Sequence, residues 1–253
     1  MVKKILLGGA IGLVVLIVVA SIVVGLFLGT LIKTGMETVG PRIAQVSIKV
    51  DAVKVSLLTG SASVKGLVIG NPAGYQAPYA ISVGTAAAGV NSFSVLSDKI
   101  VVRTVRVAAP EINFEGNPFS GNNLGKIMQN VNAFTQGSGS AATNTTARTS
   151  PKSGKKIEVD DFLITGARVN FHGATLTLPE VHLTNLGKGS DGITAADLTH
   201  QVLEALTSAC IKAVTSAAAD LGKSAGNVGK DLGKSLGTGA SNLTKGLGGL
   251  FKK

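Results

Sequence analysis

Residues 46–60 read VSIKVDAVKVSLLTG. Val46, Ile48 and Val50 alternate with Ser47, Lys49 and Asp51. After Ala52 the phase slips, and Val53, Val55 and Leu57 alternate with Lys54 and Ser56. Period two is the mark of a half-buried strand. A slip of one residue turns the apolar set to the other face, so the spacing predicts a β-bulge near Ala52. Thr59-Gly60-Ser61 reads as a turn, and residues 64–69 as the returning strand. Pro72 and Gly74 break the ladder after it. Residues 80–90, mostly Ala, Gly, Ser and Val, read as a third strand. Leu96-Ser97-Asp98 turns the chain into residues 99–107, and Ile112 and Phe114 continue the alternation beyond Pro110. Short strands joined by tight turns predict an antiparallel meander over residues 33–119.

Upstream, Lys3 and Lys4 precede an uncharged apolar run from residue 5 to residue 32. That exceeds the ~20 residues that cross a bilayer and the ~7–15 of a secretory signal core. Residues 5–32 are therefore read as an uncleaved transmembrane signal anchor, with residues 1–4 cytoplasmic. The two lysines favour that orientation, and Lys33 and Arg42 compete with it. Gly25 and Gly29, like Gly8 and Gly12, form small-xxx-small pairs. These suit either helix dimerisation or the general abundance of Gly in membrane helices.

Downstream, Leu124, Ile127, Met128, Val131 and Phe134 fall at helical spacing, with Asn122 or Asn123 as N-cap. This helix is placed at 120–134. Residues 135–156 follow as a basic Gly/Ser/Thr-rich linker. A second β segment spans 157–189, with turns near Gly166, Gly173 and Pro179. Thr194-Ala195-Ala196-Asp197 resembles a capping box and opens a helix over 194–219. Residues 220–253 repeat with period eleven, close to the helical 3.6. The repeat lines up Leu221, Ala225, Val228, Leu232, Leu236, Leu243, Leu247 and Leu250 against a lysine-bearing face, and Leu221, Val228, Leu232, Leu236, Leu243, Leu247, Leu250 and Phe251 are the candidate lipid-facing residues. Such a helix lies on a membrane surface or in an apolar groove of its own body. The other reading is a soluble tail, because its interior glycines each cost ~1 kcal/mol.

The 253 residues carry a formal charge of +10. Basic charge favours nucleic acid, but only 4% of residues are aromatic and Trp is absent, so stacking on bases is excluded. The charge is spread instead, as +5 in the stretch from residue 120 to 156, +4 in the tail, +3 in the first β segment and +2 at Lys3 and Lys4, against −4 over 157–219. One Cys excludes a disulfide scaffold or a four-Cys zinc site. His172 and His182 lie on neighbouring predicted strands without a third ligand, and Asp160 and Asp161 point to opposite faces of theirs. Cys210 in an Ala-rich helix reads as a buried thiol. The expectation is a non-enzymatic protein with no catalytic, cofactor or metal site.

In order along the chain stand residues 50–60 (VDAVKVSLLTG), residues 64–75 (VKGLVIGNPAGY), residues 97–102 (SDKIVV) and residues 109–112 (APEI). Together these resemble the AsmA-like family of bacterial envelope proteins. Asn71-Pro72 alone is also similar to LEA14-like β domains. The AsmA resemblance implies an inner-membrane anchor, a body in the periplasm, and a curved sheet whose apolar face takes acyl chains. Phospholipid or a membrane surface is the implied partner, and outer-envelope homeostasis the implied role. Groove candidates are Val46, Ile48, Val50, Val64, Ile81 and Val83. Helices covering that face would instead make them core.

The sequence thus predicts an α+β chain with an N-terminal transmembrane helix, a curved antiparallel sheet and amphipathic C-terminal helices. Lipid binding or transfer is the first functional expectation. A structural or adaptor subunit, self-assembled or joined to an envelope complex, is the second.

Overall fold

Every strand of the body belongs to one ladder, apart from a small hairpin. The structure is a computed structural model and describes residues 2–139, 155–189 and 191–219. Helix α1 runs Val2–Thr38 and a short helix α2 Gly40–Ala44. The strands follow as β1 Ile48–Lys49, β2 Ala52–Ser56, β3 Ser61–Ile69, β4 Ile81–Val90, β5 Lys99–Ala108 and β6 Glu111–Asn113. The hairpin β7 Gly116–Asn117 and β8 Gly121–Asn122 leads into helix α3, Asn123–Gly139. Strands β9 Lys156–Thr165, β10 Arg168–Phe171, β11 Ala174–Thr177 and β12 Val181–Leu186 precede helix α4, Ala195–Ala219. The chain forms two compact units, Met1–Ile211 and Lys212–Lys253; of the second, residues 212–219 are described, as helix. The tail over 220–253 and most of the linker lie outside the described residues.

The sheet is mixed, which corrects the antiparallel meander. β1 to β5 do pair antiparallel. β9 then returns beside β5 in parallel, and β10 beside β6. Parallel pairing needs a long crossover, and β6, the hairpin, α3 and the linker supply it. The two pairs share one register, from Lys99↔Lys156 through Ala108↔Thr165 to Asn113↔Asn170. They also break at the same level. Ala109 (φ 47) and Pro110 interrupt one strand, and Gly166 (φ 63) interrupts its neighbour. Ala109 N–H donates to the Thr165 carbonyl, and Arg168 N–H to that of Pro110, so the ladder carries across the kink. In this register Lys99-Ile100 lies beside Lys156-Ile157, and Asn113-Phe114-Glu115-Gly116 leads alongside Asn170-Phe171-His172-Gly173. An internal repeat pairs with itself.

No residue is inserted near Ala52. Ile48 faces Ile69 and Ala52 faces Lys65, so each strand has three residues between. The phase slip is absorbed by Gly66, whose φ of 60° kinks β3 opposite Asp51. A side chain on Gly66 would overlap the Asp51 carboxylate. The ladder's register shift lies between Gly89 and Val90 instead.

Helix α1 is part of this body. From Gly25 onward it packs along β2, running antiparallel to it. Cβ atoms on Gly25 and Gly29 would strike the carbonyl oxygens of Val55 and Val53. The small-xxx-small pair therefore seats the helix against a strand backbone. Lys33 Nζ donates to the Asp51 carbonyl at 3.0 Å, and Glu37 accepts the Val50 N–H at 3.0 Å. Between β1 and β2 the ladder is broken, and these two side chains take backbone groups at the break. The helix thus continues past Lys33 to Thr38.

Among the described residues two helices, α1 and α4, are long and apolar enough to cross a membrane. They differ in surface. On α1, Leu16, Ile22, Val23, Leu26, Phe27 and Leu31 are all exposed. α4 buries Leu203, Leu206, Ala209 and Cys210, a stripe at helical spacing that marks a core helix. Its capping box forms as the sequence predicts. Thr194 Oγ1 accepts the Asp197 N–H, and the Asp197 carboxylate accepts the Thr194 N–H, both at 3.1 Å.

Valine at Gly25 or Gly29 is expected to cost ~1–3 kcal/mol by overpacking. Alanine at Gly35, which has open space around it, should stabilise by up to ~1 kcal/mol. Chemical denaturation of the three variants in detergent checks the contrast.

Candidate functional site

Two clefts stand at opposite ends of the body. The first lies between α1 and the sheet. Ile22, Gly25 and Leu26 form one wall, Val53 to Ser56 of β2 the other, and Ser61, Ala62, Ser63, Ala87 and Ala88 complete it. Its volume is about 640 Å³, within the ~300–1,000 Å³ of small-molecule sites. The small side chains of β3 and β4 create the space. Lys54, exposed at its rim, is the charged group of the lining.

The second cleft, about 560 Å³, lies beyond the distal ends of β6 and β10, among Tyr75, Gln76, Asn113, Glu115, Asn170 and His172. Its polar groups are engaged with the protein itself. Asn123 is fully buried. Its Nδ2 donates to Asn71 Oδ1 at 2.8 Å and to the Asn113 carbonyl at 2.6 Å. Its Oδ1 accepts the Glu115 and Leu124 N–H groups. The Glu115 carboxylate accepts the N–H groups of Gln76 and Ala77 at 2.8 and 2.7 Å, and Nδ2 of Asn71 at 3.2 Å. Asn170 Nδ2 donates to Asn113 Oδ1 at 3.1 Å. These bonds tie the Asn71-Pro72 loop, the end of β6 and the start of α3 into one knot. Asn122, whose side chain accepts the Gly125 N–H at 2.8 Å, caps α3. Both oxygens of Glu115 are filled by the loop from Asn71 to Ala77, so the knot pins that loop to the end of β6.

The other ion pairs stand in separate small groups, Lys99 with Glu158, Arg168 with Glu111, His200 with Glu204, and Asp161 with Arg106 and His182. His172 sits in the β10–β11 turn with φ 47°. His182, on β12 opposite Leu163, contacts the Asp161 carboxylate at 2.6 Å. The two histidines do not meet across a turn as their spacing had allowed. Asp161 also pairs with Arg106, and the hydrogen bonds from Arg106 and then His182 hold its carboxyl below the usual range. Cys210 is buried, which pushes its thiol up to about 12. Among the described residues no group of three His, Cys, Asp or Glu could hold a metal ion.

The groove candidates fall elsewhere than on the first cleft's walls. Val46, Val50, Ile81 and Val83 are buried, and Ile48 and Val64 half-buried. The sequence reading missed Val53, Val55, Ala62 and Ala88. The Ala-rich character of β4 was the available signal, but where α1 would lie was not. The tail candidates Leu221, Val228, Leu232, Leu236, Leu243, Leu247, Leu250 and Phe251 lie outside the described residues. Compared with protein-family models, curated proteins and solved structures, the chain matches none.

Asn123→Ala removes partners from Asn71, Asn113 and Glu115 at once. It should destabilise the body by ~2–3 kcal/mol, as unsatisfied buried polar groups do. Asn170→Ala, which touches the knot at one side chain, should cost less. Urea midpoints of the two variants provide the comparison.

Proposed function

We propose that this chain is a membrane-anchored, non-enzymatic envelope protein that binds phospholipid, in the AsmA-like manner its sequence resembles. In this reading the first half of α1 spans a bacterial inner membrane and the body lies in the periplasm. The observation that carries it is the first cleft. It is bounded by the helix that leaves the membrane and by a floor of alanine and serine, so an acyl chain enters it sideways from the bilayer. Ile22 and Leu26 on one wall and Val53 and Val55 on the other offer apolar contact along a tail. Lys54 at the rim faces where an anionic headgroup would stay in water, as snorkelling lysines do. The body's role is then to hold or hand on single lipids for outer-envelope homeostasis.

The full-length protein, purified in mild detergent and analysed by mass spectrometry, is expected to carry phospholipid. Leucine at Ala88, which is in register with Ala62 and Val55, narrows the cleft and should lower bound lipid several-fold while circular dichroism stays native. Lipid occupancy unchanged by the filled cleft, or wild-type protein free of phospholipid, would contradict the assignment. A lipid-free protein of defined oligomeric state would favour the adaptor reading.

A further inference from the structure

Three large apolar side chains are displayed to solvent on two adjacent turns. Leu58, in the β2–β3 turn, is 57% exposed. Phe93 and Leu96, in the 3-10 turn Ser92–Leu96, are 90% and 89% exposed. Both turns are firmly built. Ser92 Oγ donates to the Leu57 carbonyl at 2.5 Å, and Val90 N–H to that of Gly60 at 2.6 Å, which joins them. Asn91 Oδ1 accepts the Phe93 N–H, Ser94 Oγ donates to the Asn91 carbonyl, and the Val101 N–H donates to Ser94 Oγ. A rigid turn that presents Phe and Leu to water forgoes the stabilisation that burying them would give. Contiguous apolar surface of this kind marks an interaction site.

The position of the turns identifies the partner. Gly29 lies against Val53 and Gly25 against Val55. Moving toward its N-terminus, α1 therefore advances in the direction in which β2 advances toward Leu58. Val55 to Leu58 spans at most about 10 Å, the reach of three extended residues at ~3.3 Å each, because Leu57 and Leu58 lie in the turn. That distance takes the helix from Gly25 back to about Val18 at ~1.5 Å per residue. The apolar run begins at Ile5, and the ~20 residues needed for a ~30 Å hydrocarbon layer end at about Val24. The two turns thus lie beside a stretch of helix that the layer itself must contain, up to about 10 Å below its surface. Interfacial apolar groups enter the headgroup–acyl boundary by ~5–10 Å. The rim carries both signs. Lys155 Nζ holds the Val95 carbonyl, Lys99 pairs with Glu158, Lys156 lies near Asp197, and Asp98 is exposed beside Leu96.

We infer that this end of the body docks on the bilayer that holds α1, with Leu58, Phe93 and Leu96 inserted at the headgroup–acyl boundary. The inference rests on the anchor reading and goes beyond it. It gives the body a second membrane contact, which fixes its height and tilt and seats the mouth of the first cleft at the lipid surface.

The test uses the full chain in phosphatidylethanolamine–phosphatidylglycerol vesicles. Single cysteines in a Cys210→Ala background replace Phe93, Leu96, Val19 or the distal, 81% exposed Phe119, each labelled with an environment-sensitive fluorophore. Labels at 93 and 96 are expected to emit to the blue of the label at 119 and to be quenched by spin-labelled lipid near the headgroup. The label at 19 should be quenched by spin labels deep in the acyl chains. Water-like emission at 93 and 96 with lipid-like emission at 19 would overturn the docking and leave the anchor standing. Blue emission at 93 and 96 without lipid quenching would mean a protein partner and would overturn it too. Water-like emission at 19 would overturn anchor and docking together.

Discussion

The backbone of β2 can touch the backbone of α1 because Gly25 and Gly29 have no side chains. Much of the architecture depends on that approach. It brings Lys33 and Glu37 to the break between β1 and β2, where they take the Asp51 carbonyl and the Val50 N–H. An edge strand that would otherwise present unpaired groups lies under a helix. The contact also divides the long apolar run into two jobs. The part before Gly25 is free to cross a bilayer, and the part after it belongs to the protein fold. A run longer than a membrane needs, which composition alone leaves as excess length, is explained by the second job.

At the far end a different physics holds. There the kinked strand pairs β5–β6 and β9–β10 finish, and four asparagines and a glutamate close the fold by satisfying loop backbone and one another. Asn123 uses both ends of its amide, so its burial leaves no unpaired group. The body is consequently polar and self-satisfied at one end. Toward the other it is apolar and open, with the cleft beside α1 and, at the tip, the exposed turns.

Much of this was legible in the chain. Period-two alternation located β2 to β5, helical spacing located α3 and α4, and Thr194 and Asp197 announced their capping box. The mixed sheet was not legible as a meander because the crossover between β6 and β9 hides a strand return that local turns do not announce. The recurrence of Lys-Ile and Asn-Phe-x-Gly in the paired strands was a signal for it. The slip at Ala52 looked like a bulge because a kink at Gly66, on the partner strand, has the same effect on facing. The cleft was illegible for a deeper reason. It lies between a helix and a sheet, and no periodicity within either says that they touch. Gly25 and Gly29 carried that information, but a glycine pair does not say whether its partner is a helix or a strand.

The central claim is that α1 docks on the sheet rather than swinging free as a tether. Leu26 and Lys54 are both exposed and line the same cleft from opposite walls. Spin labels at these two positions, in the full-length Cys210→Ala protein in vesicles, measure the contact by pulsed dipolar spectroscopy. The account predicts one short, narrow distance distribution. A long or broad distribution would contradict it, because the helix would then be an anchor alone and the cleft would have lost a wall.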